Sequence, residues 1–145
     1  MNKLEHLNTK KIKEILPNRY PYLLIDHVDE VVPGRYAKGY KNVTANEWFF
    51  PAHFPENPLM PGMIQMEALL QMLSITVLTL EGNHGKIIYG ISANKISLKE
   101  HVLPGCSLYI EAELTLWDGL QGTGKAIGKV KDKIVCSAEF TFKIR

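Results

Sequence analysis

One carboxyl group stands alone in the most apolar stretch of the chain. Between Asn57 and Leu80 the only formally charged residue is Glu67. A lone carboxylate in apolar surroundings is costly unless it has a partner or a task. His53 lies fourteen positions upstream (67 minus 53), and a histidine together with a buried acid can move protons at neutral pH. These two side chains are therefore the first candidates for catalysis.

Each of the two residues also has a purely structural interpretation. A separation of fourteen residues excludes an i,i+4 contact on one helix, so any partnership between His53 and Glu67 is tertiary. A loop histidine can be satisfied by a backbone carbonyl, and Glu67 can be held by Gln71, which lies one helical turn later. On the chemistry of the residues alone, the catalytic and structural interpretations carry about equal weight.

Gly62 is a third candidate because it follows Pro61 at the predicted start of a long helix. Glycine lets a ligand approach backbone N–H groups closely, and the helix dipole there favours negative charge. A carbonyl that turns into an enolate requires that environment. The alternative is an ordinary helix-start glycine after a proline.

The elements that must position these residues are one long helix and several strands. The helix is predicted over residues 62–80 and has almost no polar face, so it should be surrounded by protein. Residues 45–61 are predicted to form a long ordered loop. A short helix is predicted at Lys10–Leu16, and strands are predicted at Tyr22–Val32, Arg35–Val43, Lys86–Leu98, 108–117, Lys125–Val130 and 134–144. We therefore expect an α+β fold in which an antiparallel sheet of about five to six strands wraps around one central helix.

The composition favours one folded domain over residues 1–145. The chain is 46% hydrophobic and 22% charged, and its net charge of +2 is too small to indicate a nucleic-acid partner. The N-terminus lacks the apolar core of a signal peptide. Glu67 and the polar residues beside it argue against a membrane span. These features favour a cytoplasmic protein.

Neither a metal site nor a phosphate loop is expected. Cys106 and Cys136 have no CxxC spacing and no matching histidine pair, so both are predicted to be core thiols. The segment Gly119–Ala126 nearly spells a P-loop. Ala126, however, stands where the magnesium-binding Ser or Thr belongs. A glycine-rich hairpin turn is the better interpretation.

A longer motif gives a family resemblance. The run His53–Gly62 followed by Glu67-Ala-Leu-Leu-Gln71 resembles the signature of bacterial (3R)-hydroxyacyl-[acyl carrier protein] dehydratases of the FabZ type. Supporting matches at Leu16–Asp26, Lys41–Thr44 and Val102–Gly105 extend the resemblance over roughly residues 15–145. It implies a hot-dog fold and an obligatory homodimer whose two protomers build each active site. Many members assemble further, as trimers of dimers.

The resemblance also assigns roles to individual residues. His53 and Glu67 become a dyad from opposite protomers, in which neutral His53 takes the C2 proton and Glu67 protonates the departing C3 hydroxyl. The Gly62 N–H binds the thioester carbonyl. Three further residues are expected to line or support the acyl tunnel: Phe54, Pro61 and Gln71. No metal or redox cofactor is required.

The implied partner is an acyl carrier protein with a phosphopantetheine-linked acyl chain, for which Lys95 and Lys99 would form a reduced basic rim. Ala52 replaces a usual glycine, and Ser92-Ala-Asn94 stands where the family commonly has Gly-Ile-Asp. These departures suggest a specialised substrate or carrier. Two alternatives stay open: a hot-dog acyl thioesterase, and a non-catalytic acyl-binding subunit of a hetero-oligomer.

Overall fold

A seven-stranded antiparallel sheet wraps around one long helix in the computed structural model, which describes residues 2–145. In chain order the elements are β1 (Leu4–Leu7), α1 (Thr9–Ile15), β2 (His27–Val32), β3 (Tyr36–Val43), α2 (Gly62–Leu78), β4 (Ile88–Leu98), β5 (Cys106–Trp117), β6 (Gln121–Val130) and β7 (Lys133–Ile144). Across the sheet the strand order is β1-β2-β3-β5-β6-β7-β4. The predicted wrapped-helix α+β arrangement is confirmed.

Helix α2 is buried inside the curved sheet because its sequence is apolar on almost every side. Twelve of its 17 residues are buried. Its hydroxyl groups are satisfied within the helix, as where Ser74 Oγ donates to the Leu70 carbonyl at 2.7 Å. The sheet approaches so closely that a Cβ at Gly124 would lie 2.5 Å from Leu73 Cδ1. Within residues 2–145, no helix is long and apolar enough to cross a bilayer.

The glycine-rich segment after β5 turns the chain and packs against α2. Gly119 has a φ of 95°, in the left-handed region that glycine adopts without strain. The Asp118 carboxylate accepts hydrogen bonds from the amides of Leu120 and Gln121 at 2.8 and 2.7 Å. The predicted hairpin turn is confirmed, and β6 begins at Gln121 rather than at Lys125.

Two parts of the sheet differ from the prediction. Strand β1 raises the strand count from the expected five to six to seven, because a four-residue segment is too short to show a period. Strand β2 begins at His27 rather than at Tyr22. The carbonyl of Tyr22 and the amide of Leu24 bond to the Gln71 side chain instead of a neighbouring strand.

Strand β4 lies at the edge of the sheet and is exposed on both faces. In the described part of the chain its hydrogen-bonded neighbour is β7. Five large apolar side chains on or beside it are between 43% and 50% exposed: Ile87, Tyr89, Ile91, Ile96 and Leu98. An edge strand with open backbone groups and apolar side chains is a template for pairing with another chain.

Candidate active site

The loop between β3 and α2 carries His53 and is fixed by its own turns. The buried side chains of Phe49 and Phe50 anchor it in the core. The His53 amide donates to the Phe50 carbonyl at 3.3 Å, and the Leu59 amide donates to the His53 carbonyl at 2.9 Å. The half-exposed Phe54 ring stacks on the imidazole with 4.1 Å between ring centroids. Phe54 therefore supports the histidine ring directly.

One nitrogen of His53 is committed to the backbone. Nδ1 lies 2.9 Å from the carbonyl oxygen of Leu59. A carbonyl can only accept a hydrogen bond, so Nδ1 carries the proton, and Nε2 of the neutral ring keeps its lone pair. The structural interpretation is therefore correct for Nδ1. It also prepares Nε2 to act as a base.

The Glu67 carboxyl group is also hydrogen-bonded through one of its two polar atoms. Gln71 Nε2 donates to Glu67 Oε2 at 2.9 Å, which confirms the predicted i+4 partner. Gln71 also donates to the Tyr22 carbonyl at 2.8 Å, and its amide oxygen accepts from the Leu24 amide at 2.9 Å. Because Oε2 already accepts a hydrogen bond, a proton on neutral Glu67 belongs on Oε1, the oxygen that can donate.

The surroundings of Glu67 favour its protonated form. Burial raises the pKa of this carboxyl above its ordinary value, and the hydrogen bond from Gln71 lowers it by less than burial raises it. Burial also raises the pKa of the nearby Tyr22 hydroxyl, and the negative charge of Glu67 raises it further. A carboxyl group with a raised pKa can serve as a general acid near neutral pH.

Glu67 lies where two clefts meet. A cleft of about 260 Å³ runs between the start of α2 and β4, past Met63 and Ile91. A narrower cleft of about 130 Å³ follows α2 past Ser74 towards Leu78. A larger groove of about 460 Å³ on the outer face of the sheet contains neither Glu67 nor His53. These two clefts, rather than that groove, lead to the candidate acid.

Gly62 stands at the first position of α2, so its N–H precedes the first hydrogen bonds of the helix. The Pro61 carbonyl accepts from the amides of Ile64 and Gln65, each at 3.0 Å. A Cβ at Gly62 would lie 2.5 Å from Leu98 Cδ1. A Cβ at Gly62 would therefore displace the end of the Leu98 side chain on β4, a contact that the sequence did not reveal. The position still leaves amide donors at the positive end of the helix dipole.

The single chain brings together only part of the predicted site. His53 meets Phe54, and Glu67 meets Gln71, but within residues 2–145 no hydrogen bond or ion pair joins His53 to Glu67. Lys95 Nζ pairs with Glu139 at 3.4 Å, whereas no ion pair of the described chain includes Lys99. Nor do residues 2–145 contain a cluster of three or more metal-ligating side chains.

Sequence reasoning missed the backbone groups that fix the two candidates. These groups are the Leu59 carbonyl, the Tyr22 carbonyl and the Leu24 amide. Almost any residue type could provide them, so the residue identities at these positions do not indicate the contacts. The i+4 spacing of Gln71 from Glu67 was the one visible clue.

Comparisons with known proteins identify the family. A family model described as a FabA-like domain matches residues 16–139. The 3-hydroxyacyl-[acyl-carrier-protein] dehydratase FabZ of Clostridium tetani is 48% identical over 141 residues, which cover 97% of this chain and 99% of the relative. FabZ of Bacillus subtilis is 44% identical over 138 residues, which cover 95% and 98% of the two chains.

Solved structures share the fold at low sequence identity. The dehydratase heterocomplex ApeI:P from Xenorhabdus doucetiae matches with a TM-score of 0.80 and 14% identity, covering 92% of this chain and 90% of that one. Cj0977, a sigma28-regulated virulence protein from Campylobacter jejuni, matches with a TM-score of 0.68 and 15% identity, covering 94% and 89%. The expected hot-dog fold is confirmed.

Proposed function

The chain belongs to the FabA-like family, and from that premise we propose that it dehydrates (3R)-hydroxyacyl thioesters on acyl carrier protein to trans-2-enoyl thioesters. One observation carries the assignment of roles. His53 presents a lone pair on Nε2, while the partly buried Glu67 has a raised pKa and its Oε1 is free to carry the proton. A base with a free lone pair and a carboxyl group that can donate a proton are what the elimination of water requires.

The reaction follows from these two states. His53 Nε2 takes the proton from C2, and the thioester oxygen gains negative charge that the first amides of α2, including that of Gly62, stabilise. Glu67 Oε1 gives its proton to the C3 hydroxyl, which leaves as water while the C2–C3 double bond forms. Transfer of a proton from the imidazolium back to the carboxylate restores the starting site.

The proposed active unit is a homodimer joined through β4. In the family that the sequence resembles, such dimers also assemble as trimers of dimers. His53 and Glu67 do not contact one another within one chain, and β4 offers an open edge beside the cleft at Glu67. Pairing of two β4 edges about a two-fold axis buries the same apolar patch on both subunits. Each site then takes His53 from one protomer and Glu67 from its partner.

The acyl chain is proposed to lie in the narrow cleft along α2. From Glu67 to Leu78 the helix advances about 16 Å at 1.5 Å per residue. The Ser74 hydroxyl on this path already donates to the Leu70 carbonyl, so it would not face an acyl chain as an unsatisfied polar group. Phe54, Pro61 and Gln71 support the groups at the entrance rather than the far end.

The carrier partner and the compartment are also proposals. Lys99 carries the basic rim, because the charge of Lys95 is partly offset by Glu139. A KM that rises with salt for carrier-bound substrate, and not for the coenzyme A thioester, would support docking at this rim. We assign the reaction to fatty-acid synthesis or a related pathway in the cytoplasm, where the free thiols of Cys106 and Cys136 stay reduced.

The test is the appearance of the enoyl thioester, followed by its ultraviolet absorbance, from 3-hydroxyacyl thioesters on carrier protein and on coenzyme A. Substitution His53→Ala and, separately, Glu67→Gln should each lower the rate by about 100-fold or more without unfolding the protein. Release of free thiol instead of enoyl product would identify a thioesterase. Full activity in both variants would refute the dyad.

A further inference from the structure

Lys41 is a charged residue on the core side of a strand. In β3, Ala37, Lys41 and Val43 are all buried, and Lys41 is only 5% exposed. A buried ammonium group is costly unless a partner and hydrogen bonds compensate for its lost hydration. Its Nζ lies 3.3 Å from both carboxylate oxygens of Glu47. This ion pair therefore requires Glu47, at the start of the loop, to fold back over β3.

Glu47 connects that fixed point to the histidine. Its carboxylate also accepts from the Thr44 amide at 3.1 Å, which closes the first turn of the loop. The Phe50 amide then donates to the Glu47 carbonyl at 3.3 Å, and the His53 amide donates to the Phe50 carbonyl at 3.3 Å. Two backbone hydrogen bonds thus lead from Glu47 to the backbone of His53.

We propose that the Lys41–Glu47 ion pair is a positioning device that holds the loop so that His53 Nε2 points at the substrate. The expected effect on kcat rests on the proposed function, whereas the effect on the position of His53 does not. Neither residue needs to touch the substrate. Their effect passes through the backbone that places His53 Nδ1 at the Leu59 carbonyl, and a small displacement of a reacting group lowers the rate strongly.

The test compares variants that break the pair with one that keeps it. Lys41→Met and Glu47→Gln should lower kcat by about tenfold to hundredfold, while KM stays close to the parental value. Lys41→Arg retains the charge and should keep most of the turnover. Lys129→Met removes a more exposed ion pair of the same sheet, Lys129 Nζ to Glu111 at 2.9 Å, and serves as the control with parental kcat.

A second readout is independent of turnover. In nitrogen-15 NMR spectra, the parental His53 ring should show a protonated, slowly exchanging Nδ1, because the Leu59 carbonyl holds it. In Glu47→Gln that signal should broaden or exchange faster, whereas in Lys129→Met it should not. A folded Glu47→Gln protein with parental kcat and a parental His53 signal would overturn the proposal.

The two readouts separate failure of this inference from failure of the proposed function. If the parental protein forms no enoyl product, the function is wrong, and the His53 signal alone still decides the positioning. If Lys41→Met does not fold, Glu47→Gln decides, because it removes the charge and keeps the length of the side chain.

Discussion

Gln71 Nε2 lies 2.9 Å from Glu67 Oε2 and 2.8 Å from the Tyr22 carbonyl oxygen. Both N–H groups of this amide are therefore used, and its oxygen accepts from the Leu24 amide. A flipped amide would lose all three bonds, so Gln71 always presents a donor to Glu67. The orientation of the Glu67 carboxyl, the proposed acid, is thus set by the segment before β2.

Removal of Gln71 should alter the titration of Glu67. The hydrogen bond from Gln71 lowers the pKa of Glu67 against the larger effect of burial, so Gln71→Leu should raise that pKa further. In the proposed mechanism Glu67 acts when protonated, so activity should be lost as pH rises through its pKa. The alkaline limb of the kcat/KM profile should therefore move to higher pH. An unchanged limb in a folded variant would show that Gln71 does not bond to the acid during catalysis.

Stability should depend on pH through Glu67. Because the folded pKa is raised above 4.5, its contribution is fully present below the unfolded value and is lost as pH rises through the folded value. Glu67→Gln cannot ionise. Its melting temperature should therefore exceed that of the parent at pH 8, and the difference should be smaller, or absent, at pH 4. Thermal scans at both values measure this, and an equal difference at both would contradict the burial of the acid.

Two inactive proteins should restore activity when mixed. In a dimer that combines His53→Ala with Glu67→Gln, one of the two sites receives both parental residues. After exchange of subunits at equal amounts, activity should recover to about a quarter of the parental value, because half of the dimers are mixed. The assay is enoyl formation before and after incubation. No recovery, despite proven subunit exchange, would place both residues of a site in the same chain.

A charge at the edge strand should separate the protomers. Ile91 is 50% exposed on β4 beside the cleft at Glu67, so Ile91→Lys should give a monomer by light scattering and lower activity by about tenfold or more. Leu120→Lys places the same charge on a side chain that is 71% exposed in the β5–β6 turn. That control should keep the parental mass and rate. A fully active Ile91→Lys monomer would exclude the shared site.

The narrow cleft should set the length of the acyl chain. Ser74 lies midway along it, and Ser74→Leu adds volume where a long chain would pass. Turnover of a 3-hydroxydecanoyl thioester should fall by about tenfold or more, while that of a 3-hydroxybutyryl thioester is retained. Parallel assays with both substrates measure the ratio. An equal fall with both would mean that the chain follows another path.

Much of the site could be predicted from local sequence. The isolated Glu67, the i+4 position of Gln71 and the apolar composition of α2 are all visible within one turn or one helix. The contacts that decide their roles are long-range. Leu24 and Tyr22 lie 47 and 49 residues from Gln71, and the contact of Leu98 with the Gly62 position depends on how β4 crosses the helix start. No spacing rule reports such contacts.

Strand β4, open along its edge, has a consequence for how activity appears over time. If an active site is complete only in the dimer, a newly synthesised monomer is inactive. At low expression the rate of product formation would then rise with the square of the chain concentration, and dilution of the purified protein would inactivate it without unfolding it.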